Sequence, residues 1–101
     1  MLGARYLDKG GNEISYRTFF DLASHPSYHL VCKTVLESFV VNTTWLGLNQ
    51  LQSPTQPPLF QTTVFRSDCS EVRTVKTSTI REATRTHELT VTQCYEDQKK
   101  M

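Results

Sequence analysis

The stretch FVVNTTWLGLNQLQSPTQPPLFQTTVFR, residues 39–66, decides the fold, because it alternates inward and outward side chains on both sides of a proline-containing loop. Successive side chains of an extended chain point to opposite faces, so every second residue shares a face. Three prolines keep residues 49–58 out of regular strands. The segment therefore predicts two strands flanking a loop. The residues predicted to share a face are Phe39, Val41, Thr43 and Trp45 in the first strand and Phe60, Thr62 and Val64 in the second.

The segments on either side extend this sheet. Residues 29–36 (HLVCKTVL) alternate in the same way and are rich in β-branched side chains, which favours a strand before Phe39. Glu37-Ser38 is the predicted hairpin turn, and because neither residue favours positive φ we expect a bulge or shifted register nearby. After a tip at residues 67–70, VRTVKT predicts a fourth strand. The strand order is then a local antiparallel meander.

A helix follows the fourth strand. Thr79 and Glu82 have the spacing of a capping box, in which each side chain satisfies a free amide at the start of a helix. Apolar residues then recur at helical spacing. We expect a helix over about residues 80–96 and a frayed tail at residues 98–101. The residues at this spacing form one apolar stripe along the helix, which consists of Ile80, Ala83, His87, Val91 and Cys94.

The N-terminal part predicts a short strand and a short helix. Residues 4–8 read as a strand that enters a turn at Gly10-Gly11-Asn12. Ser15 is a good N-cap for a helix over residues 16–23, and Ser24-His25-Pro26 should stop it.

Together these elements predict one domain, residues 1–101, of the α+β class. The expected architecture is a three- to four-stranded antiparallel meander sheet packed against a C-terminal helix, with a short N-terminal helix. The second face of the sheet is left for the N-terminal helix or for a partner.

Composition excludes several classes of protein. The formal charge is +1, so nothing global favours nucleic acid or an anionic membrane. The three cysteines are widely spaced with no CxxC pair, and a zinc site needs about four convergent ligands, so we expect neither disulfide framework, metal nor cofactor. No apolar run has the length of a membrane span, and no signal-peptide core is present near Met1. The expectation is a cytoplasmic protein with reduced thiols.

Catalytic chemistry finds little support in the sequence. His87 lies on the apolar stripe of the last helix, which favours a packing or hydrogen-bonding role over catalysis. Cys69 lies in a polar tip, but no neighbouring feature in the sequence would activate its thiol. No phosphate-binding glycine loop is present. We therefore expect a protein that is not an enzyme.

Several motifs resemble a set of small phage- and prophage-encoded proteins. These are NTTWLGLNQ, PPLFQTTVF, TSTIREATRTHE and the opening YLDKGGNEIS. The family pattern reads approximately V-S-T-V-W/F-L-G-L-D-H, then P-P-L-I/L-F-E-T-M-V-F, then S-T-x-E-E-A-L-x-G-H. The resemblance covers nearly the whole chain and implies a phage protein in an infected or lysogenic bacterial host. The family as a whole implies no particular activity.

The departures from that pattern bear on chemistry. Asn49, Gln50 and Gln61 stand where the relatives carry Asp, His and Glu. Amides form hydrogen bonds but do not act as general bases at neutral pH. The sequence leaves open whether these positions are a site that lost its chemistry or were never a site.

Two functional hypotheses follow. In the first, the chain binds and inhibits a host protein, such as an anti-phage defence component of the CRISPR type, through a neutral sheet edge or face. In the second, it sequesters a signalling nucleotide, with Trp45 or Tyr28 stacking on the base and arginines binding phosphate; Trp45 could instead be core. A homodimer through the uncovered face is also expected, whereas nucleic acid and membrane are not. The candidate partner-binding residues are Trp45, Asn49, Gln50, Gln52, Gln56 and Gln61, and the candidate anion-binding residues are Arg66, Arg73, Lys76, Arg81 and Arg85.

Overall fold

A computed structural model describes residues 5–49 and 58–100 of the chain. Four strands, at residues 30–35, 39–45, 60–66 and 71–77, form an antiparallel sheet, the main sheet, and three short strands, at residues 13–14, 5–7 and 48–49, form a second, small sheet. The predicted α+β class, with a meander packed against a C-terminal helix and a short N-terminal helix, is confirmed. In chain order the elements are β1 (Arg5–Leu7), β2 (Glu13–Ile14), α1 (Tyr16–Ala23), α2 (Pro26–His29), β3 (Leu30–Val35), β4 (Phe39–Trp45), β5 (Leu48–Asn49), β6 (Phe60–Arg66), β7 (Glu71–Thr77) and α3 (Ile80–Lys99).

Strands β4 and β6 are the centre of the main sheet and pair along their whole length. The register runs from Phe39 opposite Arg66 to Trp45 opposite Phe60. The predicted alternation is confirmed, since every second residue of β4, from Phe39 to Trp45, is buried. Directly opposite residues of an antiparallel pair point the same way, so Val64 and Thr62 join the same buried face as Val41 and Thr43.

The bulge expected near Glu37-Ser38 lies elsewhere. The hairpin closes regularly, with the Leu36 amide donating to the Phe39 carbonyl at 2.7 Å. The register shift instead falls between Leu30 and Cys32, at the start of β3. Helix α2 runs directly into β3 there, so the extra residue absorbs the change from helical to extended backbone.

Helix α3 begins at the predicted capping box. Thr79 Oγ1 accepts from the Glu82 amide at 3.1 Å, and the Glu82 carboxylate accepts from the Thr79 amide at 3.2 Å. The helix continues to Lys99 rather than ending near Glu96, so the expected fraying does not begin at Gln98. Gln98 Oε1 accepts from the Ser38 amide at 3.1 Å, which fixes the last turn of the helix to the β3–β4 hairpin.

The N-terminal part holds elements that the sequence pattern missed. Helix α1 has the predicted bounds, and Ser15 Oγ accepts from the Thr18 amide at 3.1 Å. The helix stops before Ser24-His25-Pro26 as predicted, and Pro26 then opens a second short helix, α2, because the first turn of a helix tolerates a missing amide hydrogen. Strands β2 and β5 are two residues long, too short for a period of two to be read.

A junction of Leu7, Trp45 and Gly47 joins the two sheets. Trp45 Nε1 donates to the Leu7 carbonyl at 3.0 Å, and the Leu7 amide donates to the Gly47 carbonyl at 2.8 Å. Leu7 and Trp45 are buried in one cluster with Leu59, Phe60 and Ala83, and Phe19 packs against it. Gly47 has a φ of 70°, and a Cβ there would lie 2.9 Å from Phe19 Cε1 and closer still to the Trp45 ring.

We expect Gly47→Ala to lower the free energy of unfolding by about 2–4 kcal/mol, through left-handed backbone strain and overpacking. Gly11→Ala is the matched control, since Gly11 has a φ of 84° but a Cβ added there would meet no atom within 4 Å. It should cost only about 1 kcal/mol, from backbone strain alone. Urea denaturation of both variants measures the difference, and equal losses would contradict the packing role of Gly47.

Candidate functional site

All three helices pack on the same side of the main sheet. Helix α3 contacts the buried face through His87, which bonds Thr34 and Thr43, and through Cys94, which clusters with Phe39 and Val64. Helices α1 and α2 reach the Trp45 end of that same face through Phe19 and Tyr28. Among the residues that the structure describes, no helix or strand covers the opposite side of the sheet.

That opposite side, here termed the open face, is defined by cross-strand rows. The first row is apolar across three strands and ends in an acid: Val35, Val40, Phe65 and Glu71. The second is polar: Lys33, Asn42, Thr63 and Thr74. The third is polar except for its first member: Leu30, Thr44, Gln61 and Lys76. The open face thus combines one apolar row with two hydrogen-bonding rows, the mixed chemistry of a protein-binding surface.

Asn42 lies at the centre of the open face. It is flanked by Lys33 on β3 and Thr63 on β6. Its side-chain oxygen is buried and accepts no hydrogen bond from any described residue. A buried acceptor without a donor destabilises the fold, so this amide is a local cost at the centre of the face.

The predicted partner-binding residues separate in the structure. Trp45 is only 1% exposed, so the core alternative holds and a partner cannot reach its side chain. Gln61 lies on the open face, half-buried, and donates to Thr63 Oγ1 at 3.3 Å. Asn49 is the last residue of β5. Gln50, Gln52 and Gln56 lie outside the described residues.

The predicted anion-binding residues divide among three surfaces. Arg66 and Arg73 line one cleft beside the C-terminal half of α3. Arg81 and Arg85 line a shallow depression on the outer side of the first turns of α3. Lys76 stands opposite Gln61 on the open face. These residues are close in sequence, but the sheet register does not bring them together.

Trp45 and Tyr28, the predicted stacking residues, do not lie beside Arg66, one of the predicted phosphate-binding residues. Tyr28 lies edge-on to Trp45, with ring centroids 4.8 Å apart, and its other contacts are with Lys9, whose Nζ is 4.2 Å from the ring centroid. Both aromatic rings belong to the Trp45 end of the sheet, whereas Arg66 is at the opposite end of β6. Stacking on these rings and a phosphate contact at Arg66 could not serve one nucleotide. Arg81 lies in the first turn of α3, close in the chain to Ala83 of the Trp45 cluster, and a nucleotide site that uses Arg81 stays a prediction.

His87 is the best-connected polar side chain in the interior. Its Nε2 is 2.8 Å from Thr34 Oγ1, its Nδ1 is 2.8 Å from Thr43 Oγ1, and Thr43 Oγ1 is 2.6 Å from Thr62 Oγ1. The ring is 5% exposed, and Thr43 and Thr62 are buried as well. The predicted packing and hydrogen-bonding role is confirmed, because this chain of hydroxyls fixes α3 on the sheet where no substrate can enter.

Edges of the main sheet are charged rather than neutral. The central strands are β4, which has no charged residue, and β6, whose only charge is Arg66 at its end, while the edge strands carry Lys33 on β3 and Glu71, Arg73 and Lys76 on β7. Each edge strand also has a register shift. Charges and bulges oppose pairing with another strand, so the expected neutral edge is wrong and the open face is the remaining candidate.

A metal centre and a membrane-spanning helix have no structural counterpart within residues 5–49 and 58–100. No three acidic, histidine or cysteine side chains converge there as metal ligands would. In the same part of the chain, no helix combines the length and the apolar character that crossing a bilayer requires.

Comparison with protein-family models, with curated proteins and with solved structures finds no match to this chain. The resemblance to phage-encoded proteins therefore stays a prediction, and a function for the chain rests on the chemistry of its surfaces.

Sequence reasoning missed most of the open face. Val35, Asn42 and Phe65 were assigned to strands but not to a site, because alternation separates two faces without saying which one a helix covers. The available signal was the run of Thr, Asn and Gln at alternate positions of β4 and β6. It differs from the charged pattern of an ordinary solvated face.

Burial of His87 gives a pH prediction. Desolvation lowers the pKa of its imidazole from the usual 6.5, with Glu88 opposing the shift weakly. As pH falls below about 6.5, the unfolded chain binds a proton that the folded chain does not. The free energy of unfolding therefore decreases as pH falls from about 6.5 to the lowered pKa of the folded state.

His87→Gln should flatten this dependence, because an amide still bonds the threonine hydroxyls but does not titrate in this range. Urea denaturation of both proteins between about pH 5 and 8 measures the effect. All other titrating groups are common to the two proteins and cancel in the difference. An identical pH dependence in both would contradict the assignment.

Proposed function

We propose that this chain is a small, non-enzymatic protein of phage type that binds and inhibits a host protein through the open face, with a bacterial anti-phage defence component as the target. The observation that carries the proposal is the one-sided packing of the main sheet. All three helices lie on one face, and the other carries the exposed Val35 and the half-buried Asn42 and Gln61.

Several features of the open face support a protein partner. The apolar row from Val35 to Phe65 offers area for burial, and Val35 itself is 67% exposed. The polar rows offer hydroxyl and amide groups that hydrogen-bond in both directions. Lys33, Lys76 and Glu71 stand near its margins, where charges steer association and select partners. The resemblance to phage proteins supports a bacterial target.

Val35→Arg tests this surface, and Leu89→Arg is its matched control. Both are exposed aliphatic side chains, at 67% and 60%, but Leu89 lies on α3, on the other side of the sheet. We expect wild type and Leu89→Arg to capture the same protein from a bacterial lysate, and Val35→Arg to lose at least about tenfold of that affinity. Expression of the wild type should raise plaque formation on a host with the targeted defence, and Val35→Arg should abolish the rise.

If both variants or neither lost capture, the assignment of the open face as the partner-binding surface would be contradicted. Thermal unfolding of the purified variants confirms that each remains folded, since surface substitutions of this kind change stability by about 0.5 kcal/mol.

Asn42→Val should separate stability from binding. Valine removes the buried acceptor without a donor and suits a strand, so we expect the free energy of unfolding to rise by about 1 kcal/mol. Partner affinity should fall, because the centre of the face loses its amide. Urea denaturation and the capture assay measure the two quantities. A destabilised protein, or unchanged capture, would contradict the role given to Asn42.

A further inference from the structure

A cleft on the helix side of the main sheet is a second candidate site, separate from the open face. It lies between the C-terminal half of α3 and strands β6 and β7, with a volume of about 400 Å³. Ligand sites in proteins range from about 300 to 1,000 Å³. Its lining residues are Phe39, Val64, Arg66, Val72, Arg73, Cys94 and Asp97.

The floor of the cleft is apolar and already packed. Phe39, Val64 and Cys94 are at most 7% exposed and form one cluster, whereas Val72 on the rim is 44% exposed. Burial raises the pKa of the Cys94 thiol, which is therefore a neutral part of this floor. No exposed aromatic ring lines the cleft, so a nucleobase has nothing to stack on, and an alkyl group or single aryl ring suits it better.

Two arginines, Arg66 and Arg73, stand over this floor, and neither forms an ion pair with an acid among the described residues. Arg73 is directly opposite Val64, and Arg66 follows Val64 by two residues, so both guanidinium groups belong to the same face, one diagonal step apart. Neither side chain makes a hydrogen bond or ion pair with any residue in the described part of the chain. Two like charges so placed repel each other, and an anion between them relieves the repulsion.

The acids near the cleft accept hydrogen bonds from other residues, and the bonds from Ser70, with a smaller contribution from the charge of Arg66, lower the pKa of Asp68. Asp97 accepts from Gln93 Nε2 at 2.9 Å, and Asp68, two residues along the chain from Arg66, accepts from the Ser70 amide and hydroxyl at 2.9 and 2.6 Å. Among the lining residues, two guanidinium groups against the Asp97 carboxylate leave a charge of +1.

The end of the cleft is fixed before any ligand arrives. The Ser38 amide donates to Gln98 of α3 at 3.1 Å, and the Ser67 amide donates to the Ser38 carbonyl at 3.2 Å. These bonds hold the helix, the β3–β4 hairpin and the end of β6 together. A preformed site of this kind loses little freedom on binding.

We propose that this cleft binds a small anion that carries an apolar group, with its carboxylate or phosphate between Arg66 and Arg73 and its alkyl or aryl portion on Phe39, Val64 and Val72. The cleft faces away from the open face, so this proposal and the proposed function can fail independently.

Titration of the full-length, isotope-labelled protein, followed by amide chemical shifts, tests the site with phenyl phosphate, phenylacetate and neutral benzyl alcohol. We expect saturable shifts at Val64, Val72 and Cys94 with at least one anion, and affinity for benzyl alcohol at least about tenfold weaker. The anion that binds more tightly identifies the headgroup as phosphate or carboxylate.

Arg66→Gln and Arg73→Gln should each weaken anion binding by about tenfold or more, and Arg81→Gln, on the other end of α3, should leave it unchanged. Val72→Trp should block the cleft with both arginines intact, which covers the case of an arginine variant that does not fold. Absence of saturable shifts, equal binding of benzyl alcohol, or shifts that survive the arginine and Val72 substitutions would overturn the proposal.

Discussion

Pairing of β4 with β6 is the constraint on which the rest of this structure depends. Seven residues of each strand are in register, and the side chains on one face are almost all buried. A shift of one residue would turn Val41 and Trp45 outward and bring Asn42 and Thr44 under α3. The hydrogen bonds of His87 need this register, because its ring bonds Thr34 on β3 and Thr43 on β4 at the same time, and Thr43 in turn bonds Thr62 on β6. Hydrophobic burial chooses the face, and these hydrogen bonds fix the position of the helix on it.

Much of the fold could be predicted because its strong signals are local. Seven-residue strands show their period, and the Thr79–Glu82 capping box marks the start of α3 from four residues of sequence. The missed elements depend on distant contacts. The small sheet needs β1 to meet β5 across the intervening chain, and the last turn of α3 needs Ser38. No local sequence pattern around Leu48 or Gln98 predicts that these residues contact β1 and Ser38.

The candidate surfaces were less predictable than the fold, for a geometric reason. A period of two assigns Gln61 and Trp45 to opposite faces but does not say which face a helix will cover. Similarly, Arg66 and Arg73 are separated by a turn, and only the sheet register places them over one cleft. Arg81 and Arg85 share a helix and point elsewhere. The resulting molecule has two chemically distinct sides, a mixed polar and apolar sheet face and a charged cleft beside α3.

The junction of the two sheets has a spectroscopic consequence. Trp45 is the only tryptophan of the chain, and it is buried where Leu7 of the small sheet, Tyr28 of α2 and Phe19 of α1 converge. Its indole hydrogen bond to the Leu7 carbonyl breaks if the small sheet leaves the main one. Tryptophan emission, excited selectively over that of the four tyrosines, thus reports detachment of the N-terminal part separately from the amide signals of α3. The chain contains its own probe of whether its two halves unfold together.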